Sequence, residues 1–152
     1  MKRALMILGA MFLVTVVLGV GAFAFIAVKG PALDADSKRF ADETIRAIAT
    51  QWDVAELEKR ATPEFLAVAQ KQHVDKLFLM FRRLGTLKDY KGSRGDATMS
   101  LTTQHGWVIS AAYSGEAEFE NGPATIHLRL IQREDQWQIL RFEVNSKVFE
   151  QS

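Results

Sequence analysis

The chain contains no cysteine and only three prolines among its 152 residues. Without cysteine it can form no disulfide, thiolate metal ligand, cysteine nucleophile or lipid-modified N-terminal cysteine. The lack of cysteine does not determine the cellular compartment, because some proteins of oxidising compartments carry no disulfide. No group of residues forms a catalytic or metal-ligating motif, so the sequence predicts no metal and no other cofactor.

Net charge is also small, at +1 for the whole chain. Three of the basic residues, Lys2, Arg3 and Lys29, flank an uncharged N-terminal stretch, and every acidic residue lies beyond that stretch. The part of the chain after it is therefore slightly acidic. Binding to phosphate backbones requires clustered positive charge, so we expect no nucleic-acid partner.

Charged residues are missing throughout Ala4–Val28. About 20 apolar residues suffice to cross the hydrocarbon core of a bilayer, so this stretch predicts a transmembrane helix that holds the protein in the membrane. Lys2 and Arg3 precede it, and only Lys29 follows closely. The positive-inside rule then predicts a single-pass protein of the inner (plasma) membrane, with a cytoplasmic N-terminus and a periplasmic or extracellular C-terminal domain.

A cleaved signal peptide is the alternative interpretation of the same stretch. Ala22-Phe23-Ala24 has the small-x-small pattern that precedes a cleavage site. The apolar run is longer than a typical signal core and continues to Val28, which favours an uncleaved anchor. We therefore expect residues 1–29 to be the anchor or signal peptide, residues 30–35 a linker and residues 36–150 one domain.

The first half of that domain has the pattern of helices. Asp34, Asp36 and Ser37 are candidate N-caps for the first helix, and Asp53 and Thr62 are N-caps for two more. The first helix carries a stripe of apolar residues at helical spacing, and Gly85 is placed to end the last helix. The stripe consists of Phe40, Ala41, Ile45, Ile48, Ala49 and Trp52.

The second half has the pattern of an antiparallel sheet. The run from Trp107 to Phe149 predicts three successive strands, joined at Asn121–Pro123 and Glu134–Gln136. The strands before it are predicted at Thr86–Lys91 and Ala97–Gln104. Between them, a glycine-rich turn contains Arg94-Gly95-Asp96, and we interpret this tripeptide as a turn and not as an integrin-recognition motif.

Two-residue alternation predicts which side chains of the sheet face the helices. From Trp107 to Phe119 the odd-numbered residues are mostly apolar and should point inward. Gly115 suggests a bulge or bend, and a change of parity predicts a second bulge near Leu140-Arg141.

Helices followed by a bent antiparallel sheet constitute an α+β arrangement. With these features the sequence resembles the nuclear-transport-factor-2-like superfamily of cone-shaped, cystatin-like folds, and within it small exported bacterial domains of unknown function. The resemblance extends from Asp36 to Val148 and implies helices packed on a bent sheet. It rests on Trp52-Asp53, Phe81–Gly85, Tyr113, Phe119–Ala124, Trp137–Ile139 and Phe142–Val144.

The same resemblance implies where a ligand site would lie. Enzymes of the superfamily place carboxylates, histidines or tyrosines inside the cone, whereas the inward residues here are mostly aromatic or small. Our first hypothesis is a non-enzymatic membrane-tethered module that binds an envelope protein or a second copy of itself. The second is a pocket in the cone that binds a small hydrophobic ligand and could also be catalytic, with His105 near its mouth. The candidate lining residues are Trp52, Phe78, Phe81, Trp107 and Tyr113.

Overall fold

The computed structural model describes residues 30–71 and 73–151. These residues form helices and one four-stranded antiparallel sheet, which confirms the predicted α+β class. One compact unit begins at Asp34. The predicted transmembrane segment Ala4–Val28 lies outside the described residues, and within them no helix combines the length and apolar character needed to cross a bilayer.

The helices precede the sheet, as the sequence predicts. Residues 30–35, expected to be a linker, are helical. The N-cap predictions for Asp34, Asp36 and Ser37 were therefore wrong, because these residues lie inside the first helix. The helices are α1 (residues 30–51), α2 (Val54–Glu58), α3 (Pro63–Lys71) and α4 (Val74–Phe81), and a 3₁₀ turn at Arg82–Leu84 follows.

Local capping explains where α2 and α3 start and where the 3₁₀ turn after α4 ends. The Asp53 carboxylate accepts a hydrogen bond from the Ala55 N–H at 2.9 Å, and the Thr62 hydroxyl accepts one from the Phe65 N–H at 3.1 Å. Gly85 ends the last turn with a φ of 80°, a conformation that costs glycine little. The predicted caps at Asp53, Thr62 and Gly85 are confirmed.

The sheet is a simple meander in which each strand pairs with the next. The three strands predicted between Trp107 and Phe149 are confirmed, together with their two short connections. The strands are β1 (Leu87–Thr102), β2 (Gly106–Phe119), β3 (Gly122–Arg133) and β4 (Gln136–Asn145), and a 3₁₀ turn at Lys147–Phe149 follows β4.

The region before Trp107 differs from the sequence prediction. The expected turn at Gly92–Asp96 does not exist, because β1 runs without interruption from Leu87 to Thr102. Arg94, Gly95 and Asp96 pair in register with β2. A Cβ on Gly95 would lie 1.8 Å from the backbone oxygen of Ala112, so this glycine permits close approach of the two strands.

Three bulges interrupt the regular pairing, and the first makes Lys88 an extra residue, since Leu87 pairs with Phe119 and Asp89 with Glu118. In β1, Tyr90 pairs with Ala117 but Ser93 pairs with Gly115, so one extra residue lies on β1. A bulge was predicted at Gly115 of β2, but the extra residue lies opposite it, on β1. In β4, Arg141 pairs with Arg129 and Ile139 with Leu130, which makes Leu140 the extra residue and confirms the bulge predicted there.

Gly115 has a different role from the one predicted. A Cβ at this position would lie 2.9 Å from the end of the Ile45 side chain and 3.0 Å from the Tyr90 hydroxyl. Glycine therefore lets α1 and the Tyr90 side chain lie directly on β2.

Candidate functional site

Three of the five predicted pocket residues pack against one another in the core. The ring centroids of Trp52 and Phe81 are 5.3 Å apart, and those of Phe78 and Phe81 are 5.4 Å apart. Trp52 also stacks on Phe119 of β2, at 5.4 Å. These distances are those of aromatic rings in direct contact. The aromatic side chains therefore occupy the space in which the second hypothesis placed a hydrophobic ligand.

Tyr113 also lies in the core, and the hydrogen bonds of its hydroxyl connect it to α1. Its hydroxyl is 2.8 Å from the Ser37 hydroxyl and donates to the Asp34 carbonyl oxygen at 3.2 Å. Burial raises the pKa of the Tyr113 hydroxyl and outweighs the hydrogen bond with Ser37, which by itself would lower that pKa. A buried tyrosine whose hydroxyl is bonded to α1 in this way connects the sheet to the helix.

Trp107 shares the face of Ala111 and Tyr113, but it lies outside the core that the described residues form, so the prediction that it packs against the helices was wrong. Its side chain is 63 % exposed, as is that of its cross-strand partner Leu101, at 67 %. The alternation itself is correct from Ala111 to Phe119, where the odd-numbered residues are buried. The reason for the error is that, within residues 30–71 and 73–151, no apolar element covers this end of the β1–β2 hairpin.

His105 does not converge with Tyr113. It lies in the turn between β1 and β2, where its N–H donates to the Thr102 hydroxyl at 3.1 Å. At about 3.4 Å per residue along a strand, His105 and Tyr113 are roughly 20–25 Å apart. A site that uses both side chains is therefore excluded in this structure.

A part-buried polar cluster connects α1 to the bulge in β1, and no sequence motif indicated it. One carboxylate oxygen of Asp42 accepts hydrogen bonds from the Tyr90 hydroxyl at 2.7 Å, the Ser93 N–H at 3.0 Å and the Ser93 hydroxyl at 2.7 Å. The other oxygen accepts from Lys38 at 2.8 Å. The four donors satisfy the carboxylate, and the bulge brings Ser93 to it.

The electrostatics of this cluster favour a structural role. Burial by itself would raise the pKa of Asp42, but hydrogen bonds from Lys38, Tyr90 and Ser93 together hold it below its usual value. Burial and the adjacent Asp42 carboxylate raise the pKa of Tyr90 well above its usual value. A general base needs a pKa near the working pH, whereas the pKa of Asp42 is held low and its carboxylate already accepts four hydrogen bonds.

An apolar groove lies on the surface between the short helices and the last strand. Its volume is about 740 Å³, and Val68 on its wall is 52 % exposed. We call it the α3–β4 groove. Its apolar lining consists of Phe65, Val68, Leu77, Met80, Phe81, Leu140, Phe142 and Val144.

The groove contains an open edge of the sheet, because β4 is the last strand in the order. At this edge the Ile139 N–H donates a hydrogen bond to the Arg60 carbonyl oxygen at 2.7 Å, and the Ile139 carbonyl oxygen accepts one from the Thr62 N–H at 2.9 Å. Along an antiparallel strand, the N–H and C=O groups of successive residues point alternately to the two neighbouring sides. Because Leu140 is an extra residue, the backbone groups of Phe142 and Val144 point to the same open side as those of Ile139. Within residues 30–71 and 73–151, no backbone partner covers them.

The described residues hold no group of three or more side chains suited to a metal ion. Comparison of the chain with family models, with characterised proteins and with solved structures gives no match. What the protein does must therefore be argued from its own surfaces.

Proposed function

We propose that the protein is a membrane-tethered, extracytoplasmic, non-enzymatic domain that binds an extended segment of another envelope protein in the α3–β4 groove. The observation that carries the proposal is the groove itself, where exposed apolar side chains lie beside the edge of β4 at Phe142 and Val144, which no backbone group of the described residues covers. An extended peptide can add to such an edge by backbone hydrogen bonds, and its alternate side chains can enter apolar pockets.

The tether follows from the uncharged stretch Ala4–Val28 and the basic residues before it. The helices and antiparallel sheet are compatible with the cone fold of the nuclear-transport-factor-2-like superfamily, which we propose for residues 36–150 on the resemblance of their sequence. A hydrophobic ligand pocket is less favoured, because Trp52, Phe78 and Phe81 fill the core between the helices and the sheet.

Crosslinking at the groove tests this function. A photo-crosslinking residue at Leu140, in the full chain expressed in its native cells, should give one adduct of discrete size in the membrane fraction. Leu77→Glu places a charge in the groove and should remove most of the adduct, because burial of an unpaired charge is strongly unfavourable.

Leu79→Glu is the matched control. Leu79 lies on the same helix and is 60 % exposed, but it does not line the groove. It should leave the adduct unchanged. Equal adducts in the two variants, or no adduct with the unsubstituted chain, would contradict the proposal.

A further inference from the structure

The outer face of the sheet, which points away from the core, carries three arginines around one groove of about 540 Å³. In one row across the strands, Arg94 pairs with Ser114, which pairs with His127. In the adjacent row, Ala112 pairs with Arg129, which pairs with Arg141. We call this the arginine groove and define it by Arg94, Ala112, Ser114, His127, Arg129 and Arg141.

The bulge between Tyr90 and Ser93 and the bulge at Leu140 put two of these arginines on the outer face. Tyr90 and Ser93 both point inward to Asp42, so the extra residue between them turns Arg94 outward. Without the bulge Arg94 would share the inward face of Tyr90. The extra residue Leu140 does the same for Arg141, which would otherwise share the face of the buried Ile139.

The lining of the arginine groove carries more positive charge than negative charge. Arg129 lies directly opposite Arg141, and like charges in this position repel. Glu143 is the one acidic residue of the lining, and its carboxylate accepts a hydrogen bond from Arg141 at 2.6 Å. Asp96 lies beside the groove, opposite Ala112. Among the described residues, neither Arg94 nor Arg129 has an ion pair or a side-chain hydrogen bond.

The floor of the groove combines a gap with further hydrogen-bonding groups. Ala112 is exposed and its short side chain leaves room between the arginines. The Ser114 hydroxyl lies 2.8 Å from Nδ1 of His127, so this pair is already ordered. Guanidinium groups from β1, β3 and β4 thus surround a recess whose floor is polar.

We propose that the arginine groove binds a phosphate-type oxyanion. Guanidinium forks match the geometry of phosphate oxygens and bind them with charge-assisted hydrogen bonds. A bound dianion would also offset the repulsion between Arg129 and Arg141. Arg141 and Glu143 line both grooves, but Arg94 and Arg129 line only the arginine groove, so their substitution tests the anion site separately from the α3–β4 groove.

The test uses the purified full chain in neutral detergent micelles at constant ionic strength. Inorganic phosphate and short-chain phosphatidylglycerol are titrated separately, and the amide resonances of the protein are followed by NMR. We expect saturable shifts confined to residues around Ser114 and His127. Arg94→Gln combined with Arg129→Gln should weaken binding at least about tenfold, because both unpaired guanidiniums are lost.

A matched control removes the same charge elsewhere. Lys76→Gln combined with Lys88→Gln changes two exposed lysines outside the groove and should alter the affinity by less than about twofold. Tighter binding of phosphatidylglycerol identifies a lipid headgroup as the ligand, and tighter binding of phosphate identifies a free anion. Shifts that do not saturate, or an equal loss in both double variants, overturn the proposal.

Discussion

Replacement of Trp52 by alanine is expected to lower the free energy of unfolding by about 3–5 kcal/mol. Trp52 is almost fully buried and its ring contacts those of Phe78, Phe81 and Phe119. The small side chain would leave a cavity between the helices and β2 that the surrounding rings cannot fill. Urea denaturation of the full chain in detergent, followed by fluorescence and circular dichroism, measures the loss.

Two controls separate this cavity effect from the loss of any tryptophan. The indole N–H of Trp52 has no hydrogen-bond partner among the described residues, so Trp52→Phe loses no hydrogen bond and should cost about 1–2 kcal/mol. Trp107→Ala removes an exposed ring and should change stability by less than about 0.5 kcal/mol. Equal costs for Trp52→Ala and Trp107→Ala would show that the aromatic core is not packed as described.

Asp42→Ala is expected to have the second-largest effect, a loss of about 2–4 kcal/mol. The change leaves the Tyr90 hydroxyl and both donors of Ser93 without their acceptor. Unsatisfied buried donors cost more than the hydrogen bond itself contributes. Because Ser93 lies at the bulge, exchange of its amide proton should also become faster, and hydrogen-exchange NMR measures this.

The dependence on pH supplies an independent readout for Asp42. Its pKa in the folded state is below the ordinary value of 3.8, so its contribution to stability is present above that value and is lost as the pH falls through the folded pKa. Asp42→Asn should be less stable than the natural chain at pH 7, and the difference should shrink as the pH drops below about 4. A difference that stays constant down to pH 2 would refute this account.

Much of the fold could be predicted because local signals agree with tertiary packing. The apolar stripe that ends at Trp52 fits only a helix, and the turn residues at Asn121–Pro123 favour a hairpin. The bulge at Leu140 could be predicted from the sequence, because the inward-facing residues before it have odd numbers and those after it have even numbers. In each of these cases, a pattern within about ten residues determines the structure.

The errors concern features that depend on distant parts of the chain. Arg94-Gly95-Asp96 has the composition of a turn, but pairing with β2 keeps it extended. Trp107 has the parity of the core but lies at a hairpin end that no apolar element of the described part of the chain covers. Asp42 and Ser93 are 51 positions apart in the sequence, so their hydrogen bonds leave no local pattern.

The surfaces on which the function depends were invisible for the same reason. Val68, Leu77 and Leu140 lie in three separate elements, and only the packing of α3 and α4 beside β4 brings them together. The arginine groove depends on two bulges that reverse the facing of Arg94 and Arg141. Sequence patterning predicts which residues of a strand share a face only as long as the pairing is regular.

Thiol labelling of intact cells tests the central claim, an extracytoplasmic domain on a membrane tether, most directly. The natural chain has no cysteine, so it provides a blank, and Lys88→Cys adds one thiol at an exposed position of the domain. We predict that a membrane-impermeant maleimide labels this thiol in intact cells and that the labelled chain stays in the membrane fraction with Ala4–Val28 attached. Labelling that occurs only after the cells are permeabilised would contradict the proposal.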